Sequence, residues 1–230
     1  MKLIPAFFKL IRWPNLVFIV ITQVLFYYSF ILPSFETWQV AAHKLTTTLF
    51  FCLVASSVLI AAAGYIINDY FDLNIDQVNK PGSIVIQKII RRRWAIVWHL
   101  CFSAAGVLLA FYVSWKIGNY LLGTANLLCV LLLWFYSTTF KKKLLIGNLI
   151  ISLLTAWVVL VLYICELDVF RITDSGYHSA ITRIFKFAVI YGGFAFIVSL
   201  IREAVKDIED MEGDARFDAS QGVPEFPYAR

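Results

Sequence analysis

The amino-acid sequence predicts an all-α protein, a polytopic bundle of transmembrane helices. Hydrophobic residues occupy 60% of the 230 positions and charged residues only 15%, whereas about a quarter of a typical soluble domain is charged. The mean hydropathy is +0.77. The apolar residues also collect in six stretches, each long enough to cross a hydrocarbon core of ~30 Å as a helix.

The six predicted spans alternate with polar links. Residues 1–13 mix basic and apolar side chains, which predicts a helix lying on the membrane surface. Pro33 is expected to end the first span, and residues 68–93 and 166–183 are expected to be polar links. We predict one transmembrane domain over 1–214 and a polar, irregular tail over 215–230. The spans are placed at about residues 15–32, 45–67, 94–115, 120–140, 144–165 and 184–201.

Basic residues are distributed unequally between the two sides of this bundle, and such residues favour the cytoplasmic side. The side that holds the N-terminus carries Lys2, Lys9, Arg12, Lys80, Lys88, Arg91, Arg92, Arg93, Lys141, Lys142, Lys143, Arg202 and Lys206. The other side carries Lys44, Lys116, Arg171, Arg183 and Lys186. We therefore expect a multi-pass protein of the cell inner membrane with a cytoplasmic N-terminus. Short basic runs beside apolar spans do not indicate a nucleic-acid partner.

One aspartate pattern occurs twice. The spacing D-x-x-D-x-x-x-D begins at Asp69, just after the second span, and again at Asp207, just after the sixth. Residues three and four positions apart share one face of a helix, so each copy places three carboxylates side by side. The two triplets are Asp69, Asp72, Asp76 and Asp207, Asp210, Asp214. Both should lie on the cytoplasmic side.

The paired triplets favour a metal site. Neighbouring carboxylates repel each other, and the repulsion is more costly where water is scarce. Carboxylates with open coordination positions suit Mg²⁺ (magnesium), which is typically held by a few carboxylates and by substrate phosphates. We therefore predict Mg²⁺ as the cofactor. The alternative is a solvated acidic helix end without a metal.

The expected substrate group is a diphosphate, which metals neutralise as a leaving group and basic side chains bind through its oxygens. Candidate diphosphate-binding residues are Asn68, Lys141, Lys142, Arg12, Lys80 and Lys206. Asn68 also offers a neutral oxygen to the metal. The alternative reading of the run 141–143 is a plain topology signal.

The apolar spans are rich in aromatic residues, which make up 17% of the chain. Most such residues pack in the bundle or face lipid, but some could line a hydrocarbon tunnel, where aromatic faces stabilise a developing carbocation. Membrane location, a metal-bound diphosphate and an aromatic lining together suggest a polyprenyl diphosphate donor. Loss of diphosphate would give an allylic cation that an acceptor nucleophile captures.

Three segments resemble signatures of the UbiA superfamily of intramembrane prenyltransferases. N-D-Y-F-D-L-N-I-D at 68–76, followed by Asn79-Lys80-Pro81, resembles the first aspartate-rich motif. The segment Y-S-T-T-F-K-K-K-L-L-I-G-N at 136–148 is similar to the family's Y-S-x-x-L-K-R…G-N segment. Asp207, Asp210 and Asp214 match the second aspartate-rich motif.

The resemblance implies a helical bundle with a central cavity and prenyl transfer that depends on Mg²⁺. Carried over by position, the metal residues are Asn68, Asp69, Asp72, Asp76, Asp207, Asp210 and Asp214. The residues expected to be catalytic are Asp72, Asp76, Asp210 and Lys141. Lys141 and Lys142 match the basic pair that contacts phosphate. The second motif most resembles members that prenylate geranylgeranylglyceryl phosphate, while an aromatic acceptor of the 4-hydroxybenzoate type stays open.

The sequence departs from the family pattern in two places. Gly82 and Ser83 follow Pro81 where many members have a further Arg-Pro. Members usually have nine spans and six are counted here, so we expect a chain shortened at its C-terminal end. An inactive homologue is therefore one alternative to an enzyme.

Two other classes of membrane protein remain as alternatives. A CDP-alcohol phosphotransferase also uses aspartates and Mg²⁺, but its motif requires glycine where this chain has Leu73 and Met211. A cation transporter would also carry intramembrane carboxylates. Transport sites usually lie near the midplane, however, whereas these triplets lie at span ends.

Overall fold

A computed structural model of the chain describes residues 3–40, 43–79, 85–87, 89–171 and 173–221. The side chains of residues 74–79, 142, 144, 169 and 209–221 lie outside that description. The regular elements are helices, as predicted. They are α1 (Leu3–Leu10), α2 (Trp13–Phe26), a π-helical turn (Tyr27–Ile31), α3 (Leu32–Thr37), α4 (Thr47–Asn79), α5 (Arg92–Ile117), α6 (Tyr120–Thr138), α7 (Leu144–Glu166) and α8 (Ser175–Gln221).

Six helical segments of the described residues are long and apolar enough to cross a membrane, the number that the sequence predicts. They are Trp13–Thr37, Thr47–Leu73, Arg92–Ile117, Tyr120–Thr138, Leu145–Glu166 and Ser175–Ile208. The chain is an integral, multi-pass membrane protein. In α1, which precedes them, Ala6 and Leu10 are buried while Leu3 and Ile4 are exposed.

Several predicted boundaries are wrong. The first span does not end at Pro33, because a wide π-helical turn precedes it and Pro33 falls at the start of α3, where no intrahelical N–H donor is required. Residues 68–79 are helical rather than part of a loop, as the aspartate spacing requires. Helix α8 begins at Ser175, inside the expected link. It also continues to Gln221, so residues 215–221 are helical where we expected an irregular tail.

Helix α4 lies at the centre of the bundle and packs against α2, α5 and α6. It approaches α5 closely at Gly106, where a Cβ atom would lie 2.8 Å from Ile60 Cγ1 and 3.2 Å from the Ser56 carbonyl oxygen. The Ser56 hydroxyl donates to the Gly106 carbonyl over 2.7 Å. Small residues and interhelical hydrogen bonds of this kind drive helix association in membranes. The Gly106 contact and the Ser56 hydrogen bond set the position of α4 along the axis of α5.

The two ends of the helix bundle carry different sets of polar contacts. At one end, the side chains around the end of α4, the start of α7 and the last part of α8 carry the candidate site. At the other end, Glu166 accepts hydrogen bonds from the backbone N–H groups of Lys44 (2.8 Å) and Leu45 (3.0 Å). Lys44 also pairs with Asp168 over 3.2 Å. The end away from the aspartates is thus closed by its own polar network.

Replacing Glu166 by alanine is expected to lower the free energy of unfolding by about 2–4 kcal/mol, because two backbone N–H groups would lose their acceptor. The Glu166 side chain is fully buried, so water cannot replace it without entering the bundle. Thermal unfolding in detergent measures the effect. Glu36→Ala, an exposed glutamate at the same end, is the control and should leave the transition unchanged. Equal stability of both variants would contradict this account.

Candidate active site

The last membrane-embedded turns of α4 carry the first acidic cluster. Asn68 and Asp72 are one turn apart, and the Asn68 Nδ2 donates to Asp72 Oδ2 over 2.8 Å. The Lys141 ammonium forms a close ion pair with the same Asp72 oxygen and lies 3.5 Å from Asn68 Oδ1. Asp72 is buried, with 9% of its surface exposed. A buried carboxylate needs a cationic partner, and Lys141 is that partner.

Asp69, one position to the side, has a different cation. The Arg12 guanidinium donates to Asp69 Oδ1 over 2.9 Å and lies 5.1 Å from the centre of the Tyr65 ring. Arg12 joins α1 to α2 in the left-handed region, at φ 51° and ψ 54°. That conformation costs a non-glycine residue about 1–2 kcal/mol. The strained link holds a positive charge against the aspartate.

Lys141 is positioned by a tight connection between α6 and α7. A 3-10 turn, Phe140–Lys142, carries it, and Gly147 packs directly against that turn. A Cβ atom at Gly147 would lie 2.9 Å from the Phe140 carbonyl oxygen and 3.3 Å from Tyr136 Cε2. Only glycine permits this approach, which brings the start of α7 beside the lysine.

The second acidic cluster lies on α8 and is held from α7. Asn148 Nδ2 donates to Asp207 Oδ2 over 2.7 Å. One turn earlier on α8, Glu203 is buried and accepts a hydrogen bond from Arg202 over 2.7 Å. Since Asn148 follows Gly147 directly, the same short segment that packs against the Lys141 turn also orients Asp207.

Tyr136 is a buried residue that feels both clusters. Its side chain is buried, and the charges of Asp72, Arg12, Asp207 and Glu203 all act on its hydroxyl. Both acidic helix ends therefore lie at the same end of the bundle, close enough to influence one buried hydroxyl.

The structure groups some of the predicted site residues and separates another. Arg12 contacts Asp69, Asn68 and Lys141 contact Asp72, and Asp207 contacts Asn148. Lys206 precedes Asp207 on α8, but no contact among the described residues joins it to the α4 cluster. Lys80 lies outside the described residues, as do the side chains of Asp76, Lys142, Asp210 and Asp214.

The described side chains suit a hard divalent cation in kind. Asp69, Asp72 and Asp207 supply carboxylate oxygens, the donors that Mg²⁺ prefers. Within the side chains that the structure describes, no three acidic, histidine or cysteine groups lie close enough together to hold a metal by themselves. Asp69 instead pairs with Arg12 and Asp72 with Lys141, while Asp207 accepts a hydrogen bond from the neutral amide of Asn148.

Sequence reasoning did not assign three residues of this site, namely Tyr136, Asn148 and Glu203. The segment 136–148 contains the first two at its ends, and its Y-S and G-N pairs were the available signal. Glu203 lies one turn before Asp207 on the same helix face, which the helical spacing could have indicated. Its burial could not be read from the sequence.

The sequence is similar to those of known membrane prenyltransferases. The UbiA prenyltransferase family matches residues 16–220 of the chain. A digeranylgeranylglyceryl phosphate synthase from Methanosphaera stadtmanae is 31% identical over 157 residues, covering 68% of this chain and 50% of that protein. A protein of the same name from Sulfurisphaera tokodaii is 33% identical over 217 residues, covering 92% of this chain and 66% of that protein.

A solved structure is also similar. It comes from work on the biosynthesis of digeranylgeranylglyceryl phosphate synthase in membranes, and it superimposes with a TM-score of 0.67 at 25% identity. The match covers 94% of this chain and 66% of that one. The chain spans about half the length of the first curated relatives that it matches.

Proposed function

We propose, from the premise that this chain belongs to the UbiA prenyltransferase family, that it transfers a polyprenyl group from a prenyl diphosphate to a lipid acceptor. The acceptor that we propose is a phosphorylated glyceryl lipid of the geranylgeranylglyceryl phosphate type. This choice is supported by the names of the similar proteins and by the complete second aspartate motif. In the reaction, the allylic C–O bond to diphosphate breaks and a new C–O bond forms to the acceptor hydroxyl.

The proposed roles follow from the contacts. Asp69, Asp72 and Asp207, with Asp76, Asp210 and Asp214 farther along the same helices, would hold Mg²⁺ with Asn68 beside them. The bound metal would supply positive charge that stabilises the diphosphate as it leaves. Lys141 would exchange its contact with Asp72 for a diphosphate oxygen, and Arg12 would bind another. Lys80, Lys142 and Lys206 would add further positive charge for the diphosphate.

We further propose that this end of the bundle faces the cytoplasm and that the protein resides in the cell inner membrane. The excess of lysine and arginine on the side that holds Arg12 and Lys141 supports this orientation. A water-soluble diphosphate product would then be released into the cytoplasm. The apolar chains of donor and acceptor would stay in the bilayer.

One observation supports the proposal most directly: the short segment 141–148 contacts both acid-bearing helix ends, because Lys141 pairs with Asp72 and Asn148 donates to Asp207. The test is a product assay with purified, reconstituted protein, geranylgeranyl diphosphate and either a glyceryl phosphate lipid or 4-hydroxybenzoate, with and without Mg²⁺. We expect a prenylated glyceryl lipid and released diphosphate only when Mg²⁺ is present. Formation of prenylated hydroxybenzoate instead would show that the acceptor is aromatic. Cation flux without any product would favour a transporter.

A further inference from the structure

An apolar groove runs along the membrane surface at the same end of the bundle as the acidic site. Helix α1 supplies Leu3, Ile4 and Phe7 to it, and the residues around the start of α5 supply Arg91, Trp94 and Trp98. We call this the interfacial groove. Its volume of about 550 Å³ lies within the range of pockets that bind small organic ligands.

Aromatic packing holds the two helices that form the groove together, while its outer side is exposed. Phe7 packs against Trp98 and Phe102 with ring centroids 5.2 and 6.1 Å apart, which fixes α1 on α5. Ile4 is 70% exposed and Trp94 51% exposed on the outer surface. Tryptophan is enriched at the boundary between hydrocarbon and headgroups. The open side therefore faces lipid at headgroup level.

The charged residues that line the groove or lie next to its lining residues in the sequence are basic. Arg91 lines it, Arg92 and Arg93 follow, and Lys9 is exposed on α1. No aspartate or glutamate occurs in residues 1–35 or 77–165, the two stretches from which the groove is built. The first turn of α5 also lacks an acidic residue. An apolar channel ending among arginines is complementary to a molecule with an anionic head and a hydrocarbon chain.

We propose that the interfacial groove binds one anionic phospholipid of the surrounding membrane, with a chain between α1 and α5 and its phosphate at Arg91. Basic pockets between membrane helices recognise anionic headgroups in this way. The groove is distinct from the acidic centre, because none of the residues that line it belongs to the acidic clusters or to their hydrogen-bonding partners. The proposal does not depend on the prenyl transfer proposed above.

Native mass spectrometry of the full chain in detergent tests this site, with dioleoylphosphatidylglycerol and dioleoylphosphatidylcholine as probes. We expect one phosphatidylglycerol molecule to be retained in preference to phosphatidylcholine. Arg91→Gln should lower that preference about fivefold, the contribution of one basic residue near an anionic headgroup. Ile4→Gln should weaken retention of both lipids. Both residues are exposed, so neither change should disturb folding.

Lys116→Gln is the matched control, because Lys116 lies beside Trp115 at the opposite end of the bundle. It should leave the lipid preference unchanged. Equal retention of the two lipids, an unchanged preference in Arg91→Gln, or the same loss in Lys116→Gln would each overturn the proposal.

Discussion

Replacing Asp72 by asparagine is expected to lower the rate of prenyl transfer about a thousandfold. The change keeps the size of the side chain and the hydrogen bond from Asn68, but it removes the negative charge that faces Lys141. A buried charge aimed at the reacting group typically contributes about two to three orders of magnitude, and loss of a metal ligand adds to this. The measurement is product formation at saturating prenyl diphosphate and Mg²⁺.

The control for this variant is Asp174→Asn, an isosteric change at the opposite end of the bundle. Asp174 Oδ1 accepts a hydrogen bond from the Gly176 N–H over 3.0 Å, and asparagine retains that acceptor. Both variants should elute as the same monodisperse species as the unmodified protein. Activity of Asp72→Asn within a few-fold of the unmodified rate would remove Asp72 from the proposed site.

Asp207→Asn is expected to lower the rate about a hundredfold or more, although Asp207 shares no hydrogen bond with the α4 cluster among the described residues. The reason is that both helix ends are proposed to hold the same diphosphate. Asn148→Ala should cost about 10- to 100-fold, since it removes the group that orients Asp207. The double variant should be no slower than Asp207→Asn alone, because Asn148 acts through Asp207.

Thr155→Ala is the matched control on the same pair of helices. The Thr155 hydroxyl lies 3.2 Å from the Ser199 hydroxyl, so this change also removes a hydrogen-bonding contact between α7 and α8. It touches no acidic residue and should leave the rate unchanged. If Thr155→Ala and Asn148→Ala slow the reaction equally, the effect reflects helix packing rather than the orientation of Asp207.

The features of the fold that depend on hydrophobicity could be predicted from the sequence. The number of spans, their order and the family were predicted and are confirmed. The ends of the helices were predicted less well. Pro33 was predicted to end the span because a proline normally breaks a helix, yet a π-helical turn precedes it and Pro33 lies in the first turn of α3. No local signal marks such a turn.

The sequence predicts which residue types form the site, but only part of how they contact one another. The aspartate spacing requires helix at residues 69–76, and α4 does continue to Asn79. Pairing Asp72 with Lys141 and Asp207 with Asn148 depends on the depth at which α6, α7 and α8 meet α4. That depth is set by close contacts such as Gly147 against Phe140. A contact between residues on different helices produces no regular spacing in the sequence from which it could be predicted.

The most direct test of the shared site is a structure of the protein with Mn²⁺ in place of Mg²⁺ and a non-reactive prenyl diphosphate analogue. Anomalous scattering would locate the metal independently of the protein density. The account predicts Mn²⁺ and the diphosphate between the end of α4 and α8, with Asp72 and Asp207 both contributing and Lys141 turned to a phosphate oxygen. Metal bound by only one of the two helices, with the diphosphate elsewhere, would contradict it.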